Sequence, residues 1–470
     1  MNTFLSSELR PWRLAPAVAR VVFYTFFALV FLLSGVLTVM PVIPYRMALV
    51  SFLVVPLLFL YRFKLDKVTT AFALLVLSIA ASALVNRTSL LNFLLFLRIP
   101  MFAFLTYFLA DRYLNRDNVR RVFRLLLVLG YVQLPVVIIQ LAIGRYFPST
   151  LRGKITKLDF DFGTFRWKGD SAMSLFLILL VVALLFSPRV RALVSRPAFT
   201  SFYFSLTVLL ANSRLAHLVL LFVWLVYLAT VLWRREIKAN RSHLVAFAAF
   251  LAMMLFVDVY MGTSVSALSA NLNAMRANGR VENGSTSETK ADAREAGGQS
   301  PKGVDLYLKG GYARGGALRY FWSRGISWFG DGPSAYYNPV KQIRLRGNRG
   351  HFFTFYSEVG LVGWGVSVLV FLSMVVYRSK NGALGLGLAG LLMFVVMLLM
   401  GLTLETMNDV SAVFAYVLIG RYVLLPDTHG PSLRRHDASF PFGDEAQRGG
   451  PSLERALAAF EQPASGNEEQ

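Results

Sequence analysis

The chain of 470 residues contains no cysteine and has few acidic or charged residues. Without cysteine there are no disulfide bonds, no thiolate nucleophile and no Cys-ligated metal. Five histidines leave little material for a His-rich metal site. Charged residues make up 16% of the chain and hydrophobic residues 56%, whereas soluble proteins have roughly 25% charged residues. This composition excludes an ordinary soluble protein and indicates a membrane protein.

Acidic residues are scarce relative to basic ones, with 26 Asp and Glu against 48 Lys and Arg, for a formal charge of +22. In a soluble protein this excess would suggest nucleic acid as the partner. In a membrane protein it also sets topology, because Lys and Arg concentrate in cytoplasmic loops. The apolar composition favours the second explanation, and we expect no nucleic acid.

Long apolar runs dominate the sequence and predict an all-α, polytopic integral membrane protein with about 12 transmembrane helices. The predicted spans are 17–40, 45–61, 68–85, 90–110, 125–143, 171–187, 198–212, 215–233, 243–261, 352–377, 383–402 and 410–425. Helices 1–9 occupy 1–261 with an outer loop at 144–170, a large outer loop covers 262–351, helices 10–12 occupy 352–425, and 426–470 is a polar, disordered cytoplasmic tail.

The distribution of basic residues predicts the orientation of these spans. With the N-terminus inside, the inner loops hold twenty Lys and Arg and the short outer loops hold nine. The positive-inside rule therefore places both termini in the cytoplasm. The first span has no small-residue cleavage site and leads directly into another span. We interpret it as an anchor rather than a removable signal peptide.

The second half of the large outer loop is basic and aromatic. Between 301 and 350 it has nine Lys and Arg against Asp305 and Asp331, together with nine Tyr, Trp and Phe. One interpretation is a solvated loop that escapes the topological rule, as long loops do. The other is an electropositive cap, in which Arg and Lys bind phosphates or carboxylates and aromatic faces stack on sugar rings.

At the end of this loop, a helix that begins near His351 would place His351, Phe355 and Glu358 on one face. Histidine titrates near neutral pH and can act as a general base. The alternative is a structural histidine at a helix start with a snorkelling glutamate. Upstream, residues 319–329 predict a short amphipathic helix that ends in a Gly/Pro turn at 330–333.

Two features inside the predicted spans are open to more than one interpretation. Arg98 lies within the fourth span, where an ionisable residue marks a functional site by default. Snorkelling or an internal ion pair would explain it equally well. Gly360 and Gly363 are spaced so that another helix can approach closely, which is primarily a packing role.

Four short stretches stand in order beside predicted outer helix ends. They are Gly163-Thr164-Phe165-Arg166-Trp167-Lys168-Gly169, the Ser213-Arg214 turn, Arg319 with Trp322 followed by Gly330-Asp331-Gly332-Pro333, and His351 through Glu358 to Gly360-x-x-Gly363. Together they resemble the O-antigen ligase/O-antigen polymerase superfamily of bacterial envelope polysaccharide proteins. These are membrane enzymes of about a dozen helices with one large outer loop late in the chain.

The resemblance implies a glycosyltransferase at the periplasmic face of the bacterial inner membrane. Such an enzyme moves a glycan from an undecaprenyl-diphosphate carrier to an acceptor glycan or to lipid A core. The donor carries its own diphosphate leaving group, so no cofactor is expected. Arginines can stabilise that leaving group, which favours a metal-independent reaction that inverts the anomeric centre. The expected partners are these two glycans, membrane lipid and other polysaccharide assembly proteins.

The resemblance also suggests roles for individual residues. Arg166, Arg214 and Arg319 would hold the diphosphate. His351 would take the proton of the attacking hydroxyl, and Glu358 would orient that histidine or structure its helix. Further substrate-binding candidates in or near the outer loops are Lys168, Arg324, Arg349, Trp322, Trp328 and Tyr336.

Within the family, polymerase and ligase differ in the acceptor. Phe352 follows His351 where many relatives have Asn, Ser or Gln, and a register offset of two residues would put Arg349 in the histidine's position. This departure fits the ligase pattern less well, so we favour polymerisation of O-antigen or exopolysaccharide repeats. The competing class is a polysaccharide transporter or flippase, which would predict Gly/Pro-broken spans in paired positions.

Overall fold

The computed structural model describes residues 16–32, 66–114, 116–143, 163–165, 170–211, 213–237, 240–261, 325–335, 337–338, 343–344, 350–378, 384–385, 387–402, 404, 406–407 and 409–424. Within these ranges the regular secondary structure is helical apart from two pairs of two-residue strands. Strand β1 (Tyr337–Asn338) pairs antiparallel with β2 (Ile343–Arg344), and β3 (Tyr377–Arg378) pairs in the same way with β4 (Leu384–Gly385).

The helices follow the predicted apolar segments. They are α1 (Pro16–Phe31), α2 (Lys67–Val85), α3 (Leu90–Tyr113), α4 (Arg116–Ile143), α5 (Asp170–Phe186), α6 (Pro188–Arg191), α7 (Pro197–Leu210), α8 (Arg214–Trp233), α9 (Arg241–Met261), α10 (His351–Val375), α11 (Leu388–Met400) and α12 (Val410–Leu424). Each predicted segment overlaps one of them, except 45–61, which lies outside the described residues, as do most of the loop 262–351 and the tail 426–470.

Among the described residues, five helices are long and apolar enough to cross a membrane: Lys67–Val85, Leu90–Asp111, Asn118–Ala142, Leu215–Trp233 and His351–Val375. Their outward surfaces carry large apolar side chains, for example Leu77 at 64% exposure and Leu91 at 60%. Apolar surfaces of this kind are stable against lipid rather than water. The chain is therefore a helical, membrane-embedded protein.

Helix α5 forms the centre of the bundle. Every side chain over residues 172–185 is at most 1% exposed, and α7, α8, α11 and α12 surround the helix. A helix that is apolar on all sides is stable when it is enclosed by other helices. Ser213, in the Ser213-Arg214 turn, lies beside Ser171 in the first turn of this central helix.

Helix α2 packs along α10 in the most extensive helix pair of the fold. At its first turn, Asp66 caps α2 by accepting a hydrogen bond from Thr69 N at 2.7 Å. Tyr107 OH donates to Asp66 Oδ2 at 2.9 Å, and Arg421 donates to Tyr107 OH at 3.1 Å. Arg421 also forms an ion pair with Asp111. We call Asp66, Tyr107, Asp111 and Arg421 the Arg421 cluster, and it joins the ends of α2, α3 and α12.

The Arg421 cluster favours the charged form of Asp66. Burial raises the pKa of this carboxyl, but hydrogen bonds from Thr69 and Tyr107 and the charge of Arg421 outweigh it, so the pKa is lowered. Asp66 therefore stabilises this end of the bundle as a carboxylate. In the fully protonated form, it would lose the attraction to Arg421.

Candidate functional site

Helix α10 is folded back on itself at Gly360. Gly360 has φ 83° and ψ −172°, which interrupts the helix. His351 Nε2 lies 3.0 Å from Ser367 Oγ, sixteen residues further on, and the rings of Phe352 and Trp364 lie 4.9 Å apart. In a straight helix sixteen residues would span about 24 Å. Residues 351–359 and 361–375 are therefore the two arms of a helical hairpin. The predicted span 352–377 coincides with this apolar segment, but the segment is interrupted at Gly360 instead of continuous.

The turn of the hairpin is held by backbone pairing with the loop residues 325–335. Leu361 N donates to Ser327 O at 2.8 Å and Val362 N donates to Trp328 O at 3.3 Å. In the other direction, the amides of residues 331 and 332 donate to the carbonyls of residues 357 and 358 at 2.9 and 3.0 Å. We call residues 325–335 with 357–362 the loop junction. These bonds satisfy backbone groups that the interrupted helix leaves unpaired.

Glycines permit this close approach of two backbones. A methyl group at Gly360 would overlap the Trp328 carbonyl, and one at Gly330 would lie 2.7 Å from the Glu358 carbonyl carbon. Gly330 also has φ 66°. We expected Gly360 and Gly363 to admit another helix. Instead, Gly360 admits the loop backbone, and Gly363 faces the side chain of Val359 on the opposite arm.

The predicted helix over 319–329 is wrong for its described part. Residues 325–329 contain no helix, and Gly325 has φ 69°. Ser327 and Trp328 use their carbonyl groups to accept from α10 rather than from their own chain. Pairing with the broken helix therefore outweighs the local amphipathic pattern. The Gly330-Asp331-Gly332-Pro333 turn follows as predicted.

Helix α2 anchors the loop junction through two polar side chains near its end. Ser82 Oγ lies 2.6 Å from Phe329 O and 3.1 Å from Glu358 O, so it links both strands of the junction. Asn86 Nδ2 donates to Phe329 O at 3.3 Å and to Ser82 O at 2.9 Å. Ser82 is fully buried. A buried hydroxyl with partners of this kind fixes the position of the loop relative to the bundle.

Glu358 holds the far side of the same loop. Its side chain is 1% exposed, and Oε2 accepts a hydrogen bond from Ser334 N at 2.6 Å. Tyr356, on the same arm, donates through its hydroxyl to Gly325 O at 3.1 Å and accepts from Ser327 N at 3.3 Å. The first arm of α10 thus holds both ends of the segment 325–334. Of the two roles expected for Glu358, this contact fits the structural one.

His351 begins the first arm and points into the hairpin. The side chain is 3% exposed, and its ring lies 4.5 Å from that of Phe355 and 5.4 Å from that of Phe371. Ser367 Oγ donates to Trp364 O at 2.6 Å, so the same oxygen accepts from His351 Nε2. This network assigns the proton to Nε2 and leaves the lone pair of a neutral imidazole on Nδ1. His351 N donates to Leu404 O at 3.0 Å, which caps the arm.

The stretch that begins at Gly163 is held by two glutamines of α4. Gln140 exchanges two hydrogen bonds with the Gly163 backbone at 2.7 and 2.8 Å. Thr164 N donates to Gln133 Oε1, and Gln133 Nε2 donates to Thr164 Oγ1, each at 2.9 Å. Phe165 is fully buried. These contacts fix the chain immediately before Arg166.

The Ser213-Arg214 turn lies beside the start of α5. Ser171 Oγ is 3.4 Å from Ser213 Oγ, and His217 Nε2 holds the turn at 3.0 Å from Ala211 O. Ser171 lies two residues after the stretch 163–169, so the Ser213-Arg214 turn contacts the helix that follows this stretch. The described part of the third stretch, 330–333, meets the fourth stretch at the loop junction.

The predicted site residues are distributed as follows. His351 and Glu358 are described above, and Trp328 lies at the loop junction with 59% of its side chain exposed. Arg214 is the first residue of α8, but its side chain lies outside the described part of the structure. The remaining candidates fall outside the described residues altogether: Arg166, Lys168, Arg319, Trp322, Arg324, Tyr336 and Arg349.

Sequence reasoning missed the polar residues that position these stretches: Ser82, Asn86, Gln133, Gln140 and Ser367. The available signal was a polar side chain within or at the end of an apolar span, where such residues hydrogen-bond between helices. Within the described ranges, no three His, Asp or Glu side chains gather in a way that could hold a metal ion.

Comparison of the chain with protein family models, with curated proteins and with solved structures finds no match. The resemblance to the O-antigen ligase/O-antigen polymerase superfamily therefore depends on the four stretches themselves.

Proposed function

We propose that this protein is a membrane glycosyltransferase that takes its glycan from an undecaprenyl-diphosphate carrier and polymerises O-antigen or exopolysaccharide repeats. One observation carries the proposal. The two loop stretches that define the resemblance late in the chain, Gly330 to Pro333 and His351 to Gly363, pair with each other through their backbones at the loop junction. Two stretches that are separate in the sequence therefore form one paired structural element.

The proposal includes a topology of twelve membrane segments with both termini in the cytoplasm of a bacterial inner membrane. The asymmetry of basic residues between the loops supports it. In this arrangement the loop junction faces the periplasm. The hairpin of α10 descends from it, with Ser367 about 10 Å along the second arm from Gly360. Interrupted helices at membrane depth occur where they are buried in protein or line a cavity, which suits a site for a lipid-linked donor.

In the proposed reaction the acceptor hydroxyl attacks the anomeric carbon of the donor. The new C–O bond forms as the bond to the diphosphate breaks, and the carrier diphosphate leaves with its electron pair. Arg166, Arg214 and Arg319 stabilise the leaving group, and the exposed ring of Trp328 stacks on a sugar. His351 Nδ1 receives the hydroxyl proton. A single displacement inverts the anomeric centre.

The proposed reaction needs no metal ion, but the chain also contains residues that suit a metal-dependent alternative. The chain contains one Asp-x-Asp triplet, Asp159-Phe160-Asp161, in the outer loop 144–170. Two carboxylates at this spacing are suited to holding Mg²⁺ beside a diphosphate. Transfer measured with EDTA and with added Mg²⁺ distinguishes the two. We expect full activity in EDTA. A strict Mg²⁺ requirement would instead mean that Mg²⁺ held by this triplet, and not the arginines, stabilises the leaving diphosphate.

Glycan analysis of a strain that lacks the gene tests the proposed function. For a polymerase, we expect surface glycan reduced to single repeats. Long lipid-linked chains with unmodified lipid A core would identify a ligase, which has the same site chemistry and a different acceptor. Loss of all repeat units from the outer face, with accumulation on the cytoplasmic side, would identify a flippase. Unchanged glycan would refute all three.

A further inference from the structure

A third polar group of side chains lies where α6 meets the connection from α8 to α9. Tyr227 OH donates to Asn240 Oδ1 at 2.8 Å, and the rings of Tyr227 and His243 lie 5.6 Å apart. The charge of Arg191 acts on both Tyr227 and His243. We call Arg191, Tyr227, Asn240 and His243 the His243 cluster. It takes no part in the proposed transfer reaction.

Buried nitrogens in this cluster have no hydrogen-bond partner among the described residues. His243 is 5% exposed, and neither Nδ1 nor Nε2 makes a hydrogen bond to any described residue. Arg191 Nε is also buried and without a hydrogen bond in the described part of the chain. Leaving a buried donor unsatisfied costs about 1–3 kcal/mol. Two buried side chains with unsatisfied nitrogens, one of them charged and within electrostatic range of the other, are suited to an anion.

The surface around the cluster indicates the source of that anion. Arg234, Arg235 and Arg241 are exposed and basic. Next to them in the chain are exposed apolar side chains, with Trp233 at 91% and Ile237 at 48%. Tryptophan beside Lys and Arg is the composition of a membrane–water boundary, where basic pockets between helices bind anionic headgroups. A site for free phosphate would not need the exposed apolar residues.

The start of α9 adds to the positive potential. Arg241 is the first residue of this 21-residue helix, and His243 lies in its first turn. The N-terminus of a helix favours a bound anion, because its amide dipoles point toward the ligand. The helix start and Arg191 therefore act in the same direction, and His243 contributes a hydrogen-bond donor.

We propose that the His243 cluster binds the phosphate of an anionic phospholipid headgroup. The Arg191 guanidinium and the His243 imidazole donate to the phosphate oxygens, while Trp233 and Ile237 lie against the acyl chains of the same leaflet. The predicted orientation of the spans places this site on the cytoplasmic side. The lipid would then tie α6 to the start of α9.

Native mass spectrometry of the full-length protein in detergent tests this site. The probes are phosphatidylglycerol, phosphatidylethanolamine and inorganic phosphate. We expect the wild type to retain phosphatidylglycerol at least about tenfold more tightly than phosphatidylethanolamine, because the two lipids share the phosphate and only phosphatidylethanolamine adds an ammonium that the basic residues repel. Arg191→Gln and His243→Phe should abolish this preference. Arg124→Gln, which removes an exposed charge from α4 away from this surface, should retain most of it.

The comparison of lipids on the wild type needs no variant and so does not depend on whether a variant folds. Equal retention of the two lipids would overturn the proposal. Retention of phosphatidylglycerol by both Arg191→Gln and His243→Phe would also overturn it. Displacement of phosphatidylglycerol by millimolar inorganic phosphate would show a free-phosphate site instead of a lipid site.

Discussion

The two ends of α2 are held by opposite kinds of chemistry. At its start, the Arg421 cluster joins helices through charged and phenolic side chains. At its end, the loop junction is mainly backbone pairing, with Ser82 as the linking side chain. Side-chain ion pairs tolerate small shifts, whereas paired backbones fix the relative position of two segments closely. The difference indicates that the Arg421 cluster stabilises the bundle and that the loop junction fixes the loop 325–335 against α10 and α2.

Among substitutions at the loop junction and at the Arg421 cluster, Gly360→Ala should lower the stability of the protein most. Its φ and ψ lie in a region open essentially to glycine alone, and the added methyl group would overlap Trp328 O. We expect the free energy of unfolding to fall by roughly 3 kcal/mol or more, with loss of glycan transfer. Thermal unfolding in detergent measures the first effect, and the Arg421 cluster should stay intact.

Gly365→Ala is the matched control in the same helix, because a methyl group there meets no atom within 4 Å. It should unfold at the wild-type temperature or slightly above, since alanine favours helix. Equal behaviour of the two variants would contradict the described loop junction.

Ser82→Ala should weaken the junction without changing its backbone. The variant loses the hydroxyl shared by Phe329 O and Glu358 O in a fully buried position. We expect a loss of about 1–2 kcal/mol, and faster proteolysis within 325–335. Ser78→Ala serves as the control, since Ser78 Oγ donates to Leu75 O of its own helix at 2.8 Å. A larger loss in the control would point to general helix destabilisation.

Arg421→Gln should weaken the other end of α2 by less than about 1 kcal/mol, because the ion pair with Asp111 is more than one-third exposed. The loss should shrink further at high salt, where exposed charges are screened. Thermal unfolding at two ionic strengths provides the measurement, with the exposed Arg124→Gln on α4 as the control. Transfer activity should remain, and its loss would place the Arg421 cluster in the reaction.

Asp66→Asn should have the smallest effect, and the effect should depend on pH. The pKa of Asp66 is lowered in the folded state, so its carboxylate contributes stability above the unfolded pKa. That contribution disappears as the pH falls through the folded value. The variant keeps a good helix cap and should be less stable than the wild type at pH 7. If the variant and the wild type differed in unfolding temperature by the same amount at pH 7 and at the lowest accessible pH, this role of Asp66 would be wrong.

The helices could be predicted from sequence because each apolar run is local information. The hairpin of α10 could not, since its two arms form one uninterrupted apolar run and only Gly360 marks the turn. The loop that holds this turn is paired with residues about thirty positions away, and its own pattern favours a helix. The Glu358 contact is likewise non-local, because Ser334 N lies on the far side of the loop.

The candidate site was predicted in part. His351 was correctly placed at a helix start, whereas its bond to Ser367 depends on the hairpin. The catalytic and substrate-binding roles remain predictions. Ser82, Gln133 and Gln140 were visible in the sequence only as polar residues in apolar spans, and their partners could be named only from the structure.

Transfer by the purified protein in proteoliposomes tests the central claim most directly. The substrate is an undecaprenyl-diphosphate-linked repeat unit, and the products are separated by length after incubation without nucleotide. We expect chains of two or more repeats with the wild type and none with His351→Ala. Ser367→Ala, which removes only the hydrogen-bond partner of the imidazole, should keep partial activity. Absence of elongation by the wild type, or full activity of His351→Ala, would contradict the central claim.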